Sequence, residues 1–115
     1  MFMQFILEGV SLSQNKWDSA HWGKRYQIRN EWFEMIKLKY GTSGMTHKCD
    51  VRVVRVSKRL IDPCNVMSAL KPVIDGFVEY GWLRGDRCRD IVITTDQRKC
   101  LKDEEPYLEI TINKL

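Results

Sequence analysis

From Tyr107 to Ile112 the chain alternates without a fault: Leu108, Ile110 and Ile112 interleave with Tyr107, Glu109 and Thr111. A period of two sends successive side chains to opposite faces, which is the signature of a β-strand with one buried side. Such a strand is not stable alone and needs partners. The chain offers three. Val51, Val53, Val54 and Val56 form a β-branched run flanked by Lys48, Lys58 and Arg59, and it reads as a central strand. Ile91 to Thr95 is a second candidate. At the start, Met3, Phe5 and Leu7 alternate imperfectly with Gln4, Ile6 and Glu8.

Between these runs the period changes. Trp22, Tyr26, Phe33, Ile36 and Tyr40 recur at helical spacing, with Lys24, Arg25, Arg29, Lys37 and Lys39 on the other faces. Gly41 and Gly44 stop that helix. A second helix is predicted from Asn65 to Tyr80, burying Val66, Leu70, Val73, Ile74 and Phe77. Pro72 lies inside it and lacks a backbone donor, so a kink or break is expected there. The order is β-α-β-α-β-β. It predicts an α+β fold, with two helices packed on one face of a small mixed four-stranded sheet. At 115 residues the chain, 1–115, is one domain.

Composition narrows the function classes only a little. The chain is 43% hydrophobic and 30% charged, ordinary for a soluble globular protein, and its net charge of +4 permits an acidic partner without requiring one. Cys49, Cys64, Cys88 and Cys100 form no CxxC pair, and the lone His21 and His47 do not complete a zinc set. Nothing resembles a secretory signal, which makes a disulfide framework unexpected. No apolar run approaches the roughly 18–20 residues that span a bilayer. A cytoplasmic protein with reduced thiols and no membrane contact is expected.

The chemistry concentrates between residues 59 and 86. Hydrolysing a phosphodiester calls for a divalent metal, and magnesium prefers carboxylate oxygens. In Arg59-Leu60-Ile61-Asp62-Pro63-Cys64-Asn65 an aspartate stands at the mouth of the second helix, where Asp62 or Asn65 also suits a helix cap. Lys71 and Asp75 are four apart and share a helix face, as a solvated ion pair would. Asp86 follows Gly-Trp-Leu-Arg-Gly, where an aspartate is ordinary turn chemistry.

Taken together, Asp62, Asn65, Lys71, Asp75, Gly81 and Asp86 resemble the motif of the RusA family of Holliday-junction resolvases. That motif runs Asp-x-Asp-Asn, then Lys, then Asp four residues on, then Gly and Asp-Asp. The wording KPVIDGFVEYG is close to the family's helix, and SLSQNKWDSAHWGKRYQIRNEW is similar to the opening of its phage-type members. The resemblance thus covers nearly the whole chain. It implies a magnesium-dependent endonuclease, with manganese as a substitute, that cleaves branched DNA as a homodimer. Carried over, Asp62 and Asp86 are metal ligands, Lys71 approaches the scissile phosphate, and Asp75 orients Lys71 or serves as a further ligand.

Two positions depart from the motif. Cys64 stands at its second aspartate, and Gly85 at the first of the closing pair. A thiol is a poor ligand for a hard cation. The alternative is therefore a relative that binds branched DNA with weakened or no cutting. Phosphate contacts are expected from Asn15, Lys16, Lys24, Arg25, Lys58 and Arg59, with Lys16 and Arg59 foremost. For at least half of these residues a merely solvated helix face is the competing reading. His21 reads as a cap or packing residue more readily than as a base. Trp22 and Trp32 read as core, while Trp82 stays open between core and base stacking.

Overall fold

The computed structural model describes residues 2–8 and 22–115, with side chains from residue 3 in the first segment and from residue 26 in the second. Six elements follow one another: β1 (Phe2–Glu8), α1 (Trp22–Tyr40), β2 (Cys49–Ser57), α2 (Pro63–Glu79), β3 (Ile91–Lys99) and β4 (Tyr107–Lys114). The strands form one mixed sheet in the order β1-β4-β2-β3. β4 runs antiparallel to both β1 and β2, while β2 and β3, joined through α2, are parallel. This is the α+β arrangement that the periodicities predict.

One face of the sheet is buried. Phe5 and Leu7, Val51 and Val53, and Leu108, Ile110 and Ile112 lie within one core with Ile28, Trp32 and Ile36 of α1 and Val66, Leu70, Val73, Ile74 and Phe77 of α2. The stripe foreseen for α2 is buried at every position. That for α1 is met only in part: Ile36 is buried and Tyr40 packs against the core, but Tyr26 is 60% exposed, and Ile28 and Trp32, at intervals of four before Ile36, complete the contact. Both series have helical spacing, and the aromatic one lies on the outer side at Tyr26. Phe5 is the hub of the aromatic core, edge-on to Tyr40, Phe77 and Trp82 with centroids 4.7, 5.0 and 5.1 Å away.

Boundaries differ from expectation in instructive places. The second helix starts at Pro63, since proline at a first helical position forfeits no bond. It runs unbroken through Pro72, whose ring is buried. β3 continues past Thr95 to Lys99, because β2 offers it a parallel partner as far as the Ser57–Lys99 pair. α1 ends where Gly41 takes φ 72° and returns its N–H to the Lys37 carbonyl at 2.9 Å, a left-handed cap that suits glycine.

Candidate functional site

Lys71 lies on the exposed side of α2, just before the buried Pro72–Val73–Ile74 stretch. Its ammonium donates to Asp75 Oδ1 at 2.6 Å, the pairing that four-residue spacing allows. It also donates to Asp86 Oδ2 at 2.6 Å, which comes from the turn after the helix. That turn is firmly built. Gly81 adopts φ 77° against the Ser43 backbone, and the Ser43 and Met45 amides donate to the Tyr80 and Gly81 carbonyls at 2.8 and 2.9 Å. Beyond it, Arg84 donates to Asp90 Oδ1 at 2.8 Å, to the Arg89 carbonyl at 2.6 Å and to the Thr46 carbonyl at 3.2 Å. The loop is closed on itself, and Asp86 is presented at its tip.

The charges reinforce one another. The Lys71 hydrogen bond, then its charge, holds Asp86 below the usual carboxylate range, and Arg87 adds a smaller pull in the same direction. Bonds from Asp75 and Asp86 in turn hold Lys71 above the usual lysine range. Lys71 is thus a fixed cation and not a proton acceptor at neutral pH. Two of its three N–H groups are engaged, which leaves a third for an anion arriving from solvent. With Lys71 and Asp86 each about half exposed, these bonds place charge more than they stabilise the fold.

Asp62 is elsewhere. It occupies the N-cap position of α2, but its side chain makes no capping bond; only its carbonyl receives the Asn65 and Val66 amides, at 2.9 and 3.2 Å. Asp75 is thirteen residues further on, about 20 Å along the axis at 1.5 Å per residue. Magnesium binds at about 2.0–2.1 Å, so one ion cannot touch both carboxylates of the same chain. Among the described residues no three His, Cys, Asp or Glu side chains are grouped to hold a metal. The expected ligand set Asp62, Asp75 and Asp86 therefore does not fit a single magnesium site within one chain. Asp75 and Asp86 come together, and an ammonium lies between them.

The two departures from the motif have different settings. Cys64 is exposed in the first turn of α2. Gly85 is packed: a β-carbon there would overlap Asp90 Oδ2, which the Arg84 bond holds in place. Glycine is the residue that this loop closure admits.

Of the expected phosphate contacts, Lys58 and Arg59 are exposed on the turn between β2 and α2. Lys24 and Arg25 belong to the first turn of α1, with side chains outside the described portion. Asn15, Lys16 and His21 lie outside the described residues. Trp32 is buried, and Trp82 is packed on Phe5 with its indole N–H donated to the Gly41 carbonyl at 3.0 Å, a structural role for both. Two exposed cations escaped notice in the sequence, Arg87 and Arg89, on the loop that carries Asp86. Their signal was present as Arg-Gly-Asp-Arg-Cys-Arg, three exposed arginines of which Arg84 is tied to Asp90 and to the Arg89 and Thr46 carbonyls.

No family model matches the chain, and no curated protein matches it either. None of the described helices is long and apolar enough to cross a membrane.

Proposed function

We propose that this chain acts on branched DNA as a RusA-like endonuclease. The observation that supports the reading is the meeting of Lys71, Asp75 and Asp86. These are three residues that match the RusA motif, and the Lys71–Asp86 contact joins two elements that sequence proximity alone does not unite. Around this cluster Arg87 and Arg89 offer charge for phosphates, and Lys71 has a donor to spare for one. A four-way junction carries two symmetric scissile phosphates, so a twofold pair of chains is the economical form of the active species.

Magnesium, with manganese in its place, is the cation that the reading calls for. Asp75 and Asp86 are the carboxylates nearest Lys71, and Asp62 belongs to the far end of the same helix. The separation of Asp62, together with Cys64 and Gly85 at two carboxylate positions, favours a second reading. In it the chain binds branched DNA and has lost most of its cutting.

A labelled synthetic four-way junction separates the two. Under the first reading, wild-type protein with magnesium nicks the junction symmetrically, and Asp86→Asn and Lys71→Ala each lower the rate at least about a hundredfold, the scale for removing one group that stabilises transition-state charge. Nicking unchanged in both variants sinks the assignment. Under the second, binding is tight at low salt, falls steeply as salt rises, and no nick appears with magnesium or manganese. Absence of any preference for a junction over duplex rules out both.

A further inference from the structure

In the series Val51, Val53, Arg55 a guanidinium takes the place of a third core side chain, and Arg55 is only 3% exposed. Its lateral neighbour in the parallel pair is Gln97 of β3, at the carboxyl ends of both strands. Ligand sites on parallel strands favour that end, which here faces the start of α2. The turn between β2 and α2 is fastened to this pair. Arg55 Nη1 donates to the Arg59 carbonyl at 2.8 Å and to Gln97 Oε1 at 3.4 Å. Gln97 Oε1 also receives the Ile61 N–H at 3.1 Å, and its Nε2 donates to the Ile61 carbonyl at 2.5 Å. One side-chain amide thus satisfies both backbone groups of one residue, as a neighbouring strand would.

We infer that Gln97 is a positioning residue: its amide, braced by Arg55, fixes the turn that presents Arg59 and Asp62 to DNA. The inference rests on the DNA reading above. Glutamine is suited to the task because it offers a donor and an acceptor at one reach, whereas glutamate keeps only acceptors and methionine neither. Among the described residues, half-buried Ile61 has no other partner for its N–H and C=O, so the loss of the amide releases this part of the turn. Asp62, next to Ile61, then loses its fixed direction, and Arg59 keeps only the Arg55 bond to its carbonyl, while the core of the sheet stays intact.

The test uses the full chain carrying Gln97→Met, with Gln97→Glu alongside. By NMR hydrogen exchange, Ile61 is expected to exchange about tenfold faster in Gln97→Met, the order set by one hydrogen bond, with Val53 of β2 unchanged. Gln97→Glu, which retains an acceptor for the Ile61 N–H, keeps more of that protection. In junction binding, the losses from Gln97→Met and Arg59→Ala are expected to overlap, so the double variant binds within about twofold of Arg59→Ala. A merely structural Gln97 gives additive losses. Unchanged Ile61 exchange, or additive binding losses, overturns the inference. Should Gln97→Met expose Val53 as well, Gln97→Glu is judged by the same two measurements. Wild-type protein that binds no junction overturns the DNA reading and the role toward DNA with it, while Ile61 exchange still decides whether Gln97 pins the turn.

Discussion

Lys71 and Asp86, fifteen residues apart and on opposite sides of a helix end, meet at 2.6 Å. The contact is possible because the chain reverses at Gly81 and Arg84 draws the following loop shut against Asp90. Loop closure and site assembly are one event.

Removing the ammonium should release the carboxylate. In Lys71→Met the Asp86 side chain is expected to titrate higher, toward the ordinary 3.8, as followed by carbon NMR. The folded value lies below the unfolded one, so the pair's contribution is present above the unfolded value and fades as pH falls through the folded one. With both groups about half exposed, that contribution is below about 1 kcal/mol. An Asp86 titration indifferent to Lys71→Met would contradict the geometry.

The two glycines of the turn should differ in tolerance. Gly81→Ala combines a left-handed backbone with a collision against the Ser43 carbonyl, which is main chain and cannot swing aside. A loss of about 3 kcal/mol or more is expected in urea unfolding. At Gly85 the obstacle is the Asp90 carboxylate, a side chain. Gly85→Ala should cost about 1–3 kcal/mol, the value of the charged Arg84 bond that must loosen. Equal losses at the two positions would refute this ordering.

Glu104 provides a second pH marker, on the loop between β3 and β4. Arg98 clamps both its oxygens at 2.8 and 2.9 Å, and the Leu101 amide adds a third bond at 2.9 Å. Its acid form is deferred to about pH 2. Stability from this clamp is whole above the unfolded value of 4.5 and is lost as pH falls toward about 2. NMR titration should show Glu104 still ionised at pH 3, and Arg98→Met should return it upward.

Tyr40 ties α1 to the outer strand. Its hydroxyl receives the Ile6 N–H at 2.7 Å and donates to the Ile6 carbonyl at 3.0 Å. Tyr40→Phe keeps the ring on Phe5 and leaves the Ile6 N–H to find water, while the Ile6 carbonyl still receives Lys39 Nζ at 2.6 Å. A loss of about 1–2 kcal/mol is expected, with faster amide exchange at Ile6. No change at Ile6 would mean that the strand edge is held by other contacts.

The fold was legible wherever one face was consistently apolar. β4, β2 and the stripe of α2 follow directly from period and branching. β3 was half-legible: Asp96 to Lys99 is too polar to announce a strand, and it becomes one because β2 stands beside it. The first helix misled because two stripes compete and Tyr26 belongs to the wetter one. In the site, the Lys71–Asp75 spacing shows on the helix by arithmetic alone. The arrival of Asp86 depends on a reversal at Gly81, and the distance of Asp62 depends on the helix continuing unbroken through Pro72. Arg55 gave no warning, being a cation in a valine run, and its role emerges only with Gln97 beside it.

Among the described residues, β4 lies in the interior of the sheet although it is the last strand, and β1, the first, has no neighbour except β4. During synthesis, residues 2–8 therefore wait for residues 107–114 before they can pair. Until then the nascent polypeptide leaves one flank of β2 bare, open to stray partners or a chaperone's grasp. Maturation of this domain is gated by its final strand.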